Sequence, residues 1–286
     1  MDTLIPTLSI GMPVFNAANT LKEAIDSLLK QTYSDFELLI SDNCSDDSTE
    51  EICRAFAKRD PRIRYFRQNQ NWGAAHNFDF VIDQSRSEYF MWAASDDIWS
   101  TNFVERLLPI SQGYRCLAIG RNQAVNLDGS ISDHVANNHD INFIGHPMLR
   151  RLKYYIEPTI LGSTNAIYGV FPKDLMPSIS SFNFPSGDQF FIYSLLTKIE
   201  IRVCSDTIKF VRLHGNQSPT ISQTFLLRLR YWMTLLPNTF ISVIRSINFR
   251  NYWKMSSYSE RIMLVLLHPI AFTRTASIIL KREITR

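Results

Sequence analysis

Residues 8–16 read LSIGMPVFN, and this stretch sets the pattern from which the fold class follows. Up to Met12 its apolar residues alternate with small ones, which is typical of a β-strand. The strand is followed by a polar residue, Asn16. Thr20 and Glu23 then have the spacing of a capping box ahead of an apolar stripe with helical repeat, so a helix is predicted directly after the strand.

The same order of strand and helix recurs three more times. Strands are predicted at 36–40, 63–66 and 89–94, and each precedes a helix, the first of them with a second possible capping box at Ser48 and Glu51. This alternation favours βαβ units and a parallel sheet. The carboxyl ends of such strands line one crevice, where a ligand site is expected. The polar residues after these strands are Asn16, Asp42, Asn43, Ser95, Asp96 and Asp97.

The second half of the chain is less regular. In chain order the patterns predict a strand–turn–strand unit (113–131), a polar loop (133–145), a helix (148–156), a strand (166–171), a helix (188–197), a strand (208–213) and, from residue 225, short amphipathic helices.

The charge is unevenly distributed. The net charge of the 286 residues is +3, but residues 221–286 have ten basic residues against two acidic ones, a net charge of +8, which leaves −5 for residues 1–220. Two interpretations of this tail remain open: a helical cap with a solvated basic face, or an interfacial surface that binds anionic lipid. Because no recognised nucleic-acid-binding motif accompanies the charge, we expect no nucleic-acid partner.

Composition excludes several classes of protein. With 45% hydrophobic and 12% aromatic residues, the chain is not disordered, collagenous or a disulfide scaffold. Its four cysteines lack CxxC spacing and are predicted to be reduced thiols. The N-terminal residues lack a basic region followed by an apolar one, so we expect a cytoplasmic protein. The apolar run 262–267 is too short to span a bilayer.

Two adjacent carboxylates, Asp96 and Asp97, follow the fourth predicted strand. Carboxylates beside a hydrophobic sheet must be solvated, paired or bound to a metal ion. They would suit Mg²⁺ or Mn²⁺, which in turn would bind a diphosphate. Alternatively, they begin a helix, where acidic side chains accept hydrogen bonds from free N–H groups.

Asp42 and the residues 69–77 are the next candidates. Asp42 stands just past the second predicted strand and can accept hydrogen bonds from a base or ribose, although the acidic loop that follows also has the composition of a turn. Asn71, Gly73 and Asn77 belong to a polar lead into a helix, whose N-terminus can bind an anion.

Asp188 and His214 complete the candidates. Asp188 stands at the start of a predicted helix, where an N-cap role is the alternative to a catalytic one. His214 follows the last predicted strand, and a lone loop histidine is more often a surface residue than a ligand.

Taken together, these residues resemble the family 2 glycosyltransferases, which have the GT-A nucleotide-sugar fold. The resemblance covers residues 7–220 and implies an α/β fold with a Rossmann-like, mostly parallel central sheet flanked by helices. Residues 1–100 would be the nucleotide-sugar-binding half, 101–220 the acceptor-binding half and 221–286 a basic helical C-terminal extension. The matching motifs are residues 9–16 (SIGMPVFN), 39–49 (LISDNCSDDST), 69–77 (NQNWGAAHN), 89–97 (YFMWAASDD), 167–171 (IYGVF), 187–188 (GD) and 212–214 (RLH).

The resemblance also implies roles for single residues. Asp97 would ligate a divalent cation, Mn²⁺ or Mg²⁺, with His214 as a further metal or diphosphate contact. Asp188 would be the general base. Pro13 and Phe15 would border the base of the nucleotide-sugar donor. The full set of donor-binding positions is Pro13, Phe15, Asn16, Asp42, Asn71, Gly73, Asn77 and Asp96, of which Asp42 would bind base or ribose and Asp96 ribose or metal.

Two positions depart from the family pattern: Ser95 replaces the first acid of the DxD motif, and His76-Asn77 stand where Ala-Arg-Asn is common. The expected function is inverting transfer of a sugar from a nucleotide-diphosphate sugar to a saccharide or lipid-linked saccharide of cell-surface polysaccharide synthesis, in the cytoplasm or at the inner face of the plasma membrane. One alternative is a degenerate GT-A domain that only binds a glycan or a partner, which Ser95 favours. The other is a sugar-nucleotide pyrophosphorylase, although residues 12–16 lack its Gly- and Arg-rich phosphate loop.

Overall fold

The computed structural model describes residues 5–157, 162–182, 187–213, 251–264, 266–267, 270–271 and 274. In these ranges the chain has a mixed α/β fold in which helices flank one central sheet. The strands are β1 (Leu8–Val14), β2 (Phe36–Asp42), β3 (Ile63–Arg67), β4 (Tyr89–Trp92), β5 (Ile98–Trp99), β6 (Leu117–Val125), β7 (Val170–Pro172) and β8 (Ile201–Arg212). The α-helices are α1 (Leu21–Leu29), α2 (Thr49–Arg59), α3 (Ala74–Asp83), α4 (Phe103–Tyr114), α5 (Pro147–Ile156) and α6 (Gly187–Leu195).

The sheet has the strand order β3-β2-β1-β4-β7-β6-β8-β5. β1 pairs in parallel with β2 and β4, β2 with β3, and β6 with β8, whereas β7 and β5 are antiparallel to their neighbours. Val14 is paired with Asp42 and Asp42 with Arg67, so β1, β2 and β3 end at the same edge. The predicted parallel half-sheet and its shared polar edge are therefore confirmed.

Apolar side chains cover both faces of the sheet. α1, α2 and α4 contribute to the core on one face, and α3, α5 and α6 to the core on the other. Gly11 shows how closely α3 packs on β1: a Cβ atom there would lie 2.4 Å from the ring of Phe90 and 2.7 Å from Val81. A side chain at this position would push α3 away from the sheet.

Two predicted strand regions are wrong in part. Residues 163–168 form a 3-10 helix, so β7 is only the end of the strand predicted at 166–171. α4 extends to Tyr114, and the strand–turn–strand unit predicted from residue 113 reduces to β6 and one bridge between Val125 and Ile131. The two-residue strand β5 has no signal in the sequence.

Neither predicted capping box forms. The Thr20 hydroxyl donates to the backbone carbonyl of Ser95 at 3.0 Å, and Glu23 forms an ion pair with Arg212. Ser48 makes no side-chain cap to α2 either. The residues with capping-box spacing at α1 instead connect this helix to distant parts of the chain.

A C-terminal helical segment, the described residues from 251 to 274, packs on α5 and α6. Arg151 of α5 and Glu260 form a buried ion pair at 2.6 Å, and the Tyr193 hydroxyl of α6 lies 2.7 Å from the Ser256 hydroxyl. Two predictions fall outside the described residues: the domain boundary near residue 220 and the assignment of His214 as a metal ligand. Across the ranges that are described, no helix is long and apolar enough to cross a bilayer.

Candidate active site

Asp42 is fully buried at the end of β2. Its Oδ1 accepts the Ser45 N–H at 2.9 Å, and its Oδ2 accepts the Tyr65 hydroxyl at 2.8 Å and Arg67 Nη1 at 2.7 Å. Burial and then the bond to Asp42 raise the pKa of Tyr65. Burial also acts to lower the pKa of Arg67, but the hydrogen bond and the charge of Asp42, the Tyr65 hydroxyl and the charge of Glu50 together outweigh it and raise that pKa. Asp42 therefore holds from inside the loop of residues 42–48, which the resemblance assigns to the nucleoside and which is called the nucleoside loop below. Its contact with a base or ribose stays a prediction.

An exposed aromatic ring stands beside this loop. Phe15 is 48% exposed, and Pro13 before it is half-buried. Asn16 has a φ of 50°, its N–H donates to the Ser45 hydroxyl at 2.9 Å, and its Oδ1 accepts the Asp46 N–H at 3.0 Å. The loop is thus ordered next to a ring that can stack on a planar base.

Asn43 joins the nucleoside loop to the start of α3. Its Nδ2 donates to Asn71 Oδ1 at 2.7 Å and to the Gly73 carbonyl at 3.2 Å, and its Oδ1 accepts the Trp72 N–H at 3.0 Å. Gly73 has a φ of 85°, in the region that favours glycine. These bonds place the N-terminus of α3 next to the ends of β1 and β2.

Asn77 is buried on the first turns of α3. It accepts the Ser41 hydroxyl at 2.6 Å and donates to the carbonyls of Ser41 at 2.9 Å and Val14 at 3.3 Å. Its amide ties α3 to the two strands, and a direct contact of Asn71, Gly73 or Asn77 with a nucleotide sugar stays a prediction.

Asp97 is buried against β8, in the loop that follows β4. Its Oδ2 lies 2.8 Å from Lys209 Nζ, and its Oδ1 accepts the Arg212 N–H at 3.2 Å. Arg212 Nε also donates to the carbonyl of Asp96 at 3.1 Å, while its Nη2 pairs with Glu23. Asp97 is therefore committed to an internal ion pair, whereas the side chain of Asp96 is half-buried.

These contacts do not fit a divalent cation at Asp97. Mg²⁺ and Mn²⁺ favour several oxygen ligands, and the ammonium of Lys209 would repel a second cation next to the same carboxylate. Ser95 adds no charge, and among the described residues no three Asp, Glu, His or Cys side chains are grouped so that they could hold a metal ion. No step proposed below depends on the predicted metal site.

A cavity of about 320 Å³ opens between the start of α3, the 3-10 helix 163–168 and the start of α6. Asp188, in the first turn of α6, lines it together with Asn165 and Tyr168. Burial, and then the charges of Asp97, Asp96 and Asp188, raise the pKa of Tyr168. The Tyr168 hydroxyl therefore lies near the carboxylates of the loop 95–97 and near Asp188. The predicted general base and this loop thus belong to one region of the fold.

Several residues of this region were not found from the sequence. Arg67 holds the nucleoside loop, while Asn165, Tyr168 and Lys209 connect the loop 95–97 to the cavity. Only Lys209 carries a signal, because it lies within the strand predicted at 208–213, and a lysine that such a strand buries requires a partner.

The model of the family "Glycosyl transferase family 2" matches residues 9–170, more than half of the chain. Glycosyltransferase GlyG of Streptococcus pneumoniae is 36% identical over 100 residues, which are 35% of this chain and 33% of that protein. The putative teichuronic acid biosynthesis glycosyltransferase TuaG of Bacillus subtilis is 29% identical over 111 residues, which are 39% of this chain and 44% of that protein. The matched segment spans less than half the length of either relative.

Solved structures of S. aureus TarS have the same fold. TarS 1-349 aligns with a TM-score of 0.58 and 13% identity over 98% of this chain and 92% of that chain. Its complex with UDP-GlcNAc aligns with a TM-score of 0.56 and 17% identity over 73% and 59% of the two chains. At these identities the likeness concerns the fold, which is the GT-A fold that the motifs predicted. With this fold and the family match over residues 9–170, the chain belongs to glycosyl transferase family 2.

Proposed function

We propose that the protein is an inverting glycosyltransferase that moves a sugar from a nucleotide-diphosphate sugar to an acceptor hydroxyl. The observation that carries this proposal is the position of Asp188, which lines the 320 Å³ cavity beside the start of α3. That start is bonded to the nucleoside loop, so the cavity lies where the sugar of a bound donor would emerge from the nucleotide site. Family membership supports the same class of enzyme.

In the proposed reaction the acceptor oxygen forms a bond to the anomeric carbon while the bond from that carbon to the diphosphate oxygen breaks. Asp188 accepts the proton of the acceptor hydroxyl, for which reach and orientation matter more than a shifted pKa. Attack on the face opposite to the leaving diphosphate inverts the anomeric configuration.

The nucleoside is assigned to the edge where Phe15 stands beside the nucleoside loop. The exposed ring offers a stacking surface, and the bonded network around Asp42 and Asn43 preorders the loop before the nucleotide binds. UDP is the nucleotide to test first, because the TarS structures of the same fold hold UDP and UDP-GlcNAc.

The proposed acceptor is a saccharide or lipid-linked saccharide of cell-surface polysaccharide synthesis. The name of the relative TuaG, which refers to teichuronic acid biosynthesis, supports this acceptor class. A lipid-linked acceptor would require the enzyme to work at a membrane surface.

The C-terminal helical segment has an exposed apolar stripe, which supports the proposal that the enzyme binds to a membrane surface. Tyr258, Ile262, Leu266 and Ile270 follow one another at intervals of four residues and are 80%, 52%, 63% and 50% exposed. This spacing puts them on one helix face, while Leu264 and Ala271 are buried. Arg274 is paired with Glu157 at 3.3 Å, but Lys254 is exposed and residues 221–286 have a net charge of +8, so the proposed partner of this face is an anionic lipid bilayer.

Flotation with liposomes tests the membrane proposal. Wild type should float with vesicles that contain anionic lipid and lose this binding when Ile262 and Leu266 are both replaced by Asp. A control pair, Leu127→Asp with Ile131→Asp, adds the same charge at two exposed apolar positions outside this stripe and should bind like wild type. Equal flotation of the stripe variant, or binding to uncharged vesicles alone, would reject an anionic lipid surface as the partner.

The catalytic proposal is tested with a panel of UDP-, GDP- and TDP-sugars. Release of the nucleoside diphosphate from one donor, stimulated by a saccharide acceptor, is the expected result. Binding of a glycan without turnover of any donor would instead support the degenerate binding module. Formation of a nucleotide sugar from a nucleoside triphosphate and a sugar phosphate would support the pyrophosphorylase.

A further inference from the structure

Lys209 is a buried lysine with three partners in the site. It is 2% exposed on β8, its Nζ lies 2.8 Å from Asp97 Oδ2 and 3.2 Å from Asn165 Oδ1, and it stands 4.2 Å from the centre of the Tyr168 ring. A lysine is almost never fully buried unless it is paired, and here the pair is with the carboxylate that the motif assigns to a metal ion.

The backbone around this pair leaves little freedom. Lys209 is in register with Asn122 on one side and Trp99 on the other, so its strand is flanked by β6 and β5. β5 begins at the residue after Asp97, and the second oxygen of Asp97 is held by the Arg212 N–H. The ion pair is therefore fixed from both of its sides by adjacent elements of the sheet.

We propose that the ammonium of Lys209 takes the cation position at Asp97, so that Lys209 and a divalent cation exclude each other there. Asp97 Oδ2 would have to exchange an ammonium at hydrogen-bond distance for the metal, and the displaced ammonium would stay buried next to it. Such a displacement leaves an uncompensated buried charge, which is costly. Wild type accordingly binds Mn²⁺ weakly, and Asp97 does not contribute to that binding.

The pair also gives Lys209 a positioning role. Asn165 and Tyr168, its other partners, line the cavity together with Asp188. Lys209 thus fixes one wall of the cavity in relation to the loop 95–97. This second consequence rests on the proposed function, whereas the exclusion of a cation does not.

Titration with Mn²⁺ alone, followed by calorimetry and by the electron paramagnetic resonance signal of free Mn²⁺, tests the proposal without any turnover. Wild type and Asp97→Asn should bind Mn²⁺ equally weakly. Lys209→Met should gain Mn²⁺ affinity by at least about tenfold, because it exposes an unpaired carboxylate to the metal. It should also melt at a lower temperature than wild type and recover on addition of Mn²⁺, whereas Lys209→Met with Asp97→Asn should show neither gain nor recovery.

Two results would overturn the proposal. The first is tight binding of Mn²⁺ by wild type that is lost in Asp97→Asn, which requires no Lys209 variant to fold. The second is an affinity of Lys209→Met no higher than that of wild type. If donor turnover fails in every assay while these titrations behave as expected, the proposed function is rejected and the exclusion at Asp97 stands.

Discussion

Replacing Asp42 with Asn removes the negative charge at the centre of the nucleoside loop and keeps the size of the side chain. The amide oxygen can still accept the Ser45 N–H, and the Tyr65 hydroxyl can rotate to accept from the amide. The guanidinium of Arg67 has only donors, so it would face the amide N–H without a hydrogen bond. The variant therefore breaks one specific contact, the 2.7 Å bond to Arg67.

The size of the effect follows from the exposure of the two partners. Breaking a buried ion pair by removing one charge costs about 3–5 kcal/mol. The Arg67 side chain is 29% exposed and has a second carboxylate, Glu50, 3.1 Å from its Nε, so it keeps part of its stabilisation. A charged hydrogen bond contributes about 1.5–3 kcal/mol, and we expect Asp42→Asn to lower the free energy of unfolding by about 2–3 kcal/mol.

Urea unfolding followed by tryptophan fluorescence measures this change. Asp46→Asn, an exposed position in the same loop, is the control and should stay within about 0.5 kcal/mol of wild type. Arg67→Met and the double variant complete a cycle, in which the two positions should couple by at least about 1 kcal/mol. Additive single variants, or an Asp42→Asn protein as stable as the control, would refute the account of the loop.

Three further variants test the packing and the charge of the fold. Glu260→Gln leaves the buried guanidinium of Arg151 without its counter-charge, so trypsin should cleave the C-terminal helical segment faster than in wild type; an unchanged cleavage rate would contradict the docking. Gly169→Ala, just before β7, puts a Cβ atom 2.3 Å from the Ala118 carbonyl oxygen of β6 and should lower the melting temperature; an unchanged melting temperature would contradict this close approach to β6. Burial acts to raise the pKa of Glu37, but hydrogen bonds from its neighbours and the charge of Arg64 outweigh it and lower this pKa below its ordinary value of 4.5. The ionised carboxylate therefore stabilises the fold above about pH 4.5, and this contribution is lost as the pH falls through the lowered pKa of the folded state. Between about pH 5 and pH 3 the free energy of unfolding should therefore fall further in wild type than in Glu37→Gln. Parallel curves of this free energy against pH would contradict the lowered pKa of Glu37.

Local patterns were sufficient to predict the first half of the fold. The strands β1 to β4 and the helices α1 to α4 were predicted from apolar runs or from periodicity, and they bury their apolar positions in the two cores, whereas β5 has no such signal. The 3-10 helix 163–168 was missed because six residues of mixed apolar character do not distinguish a tight helix from a strand. The sequence likewise predicted the convergence at the sheet edge, since that follows from parallel topology alone.

Contacts between distant residues could not be predicted in this way. Glu23 has the spacing of a capping box, but its carboxylate is used by Arg212 at the far end of β8. Lys209 is 112 residues from Asp97, and nothing in either local sequence pairs them. The sequence therefore located the carboxylates of the site, whereas the structure showed which of them are already paired.

Sugar transfer by Asp188→Asn tests the central claim most directly. The amide keeps the volume of the side chain in the cavity but cannot accept the acceptor proton. Asp174→Asn, an exposed carboxylate outside the cavity, is the matched control. The account predicts that kcat falls by at least about 100-fold in Asp188→Asn, with nucleotide affinity retained and the control unchanged. Turnover by Asp188→Asn close to that of wild type would contradict it.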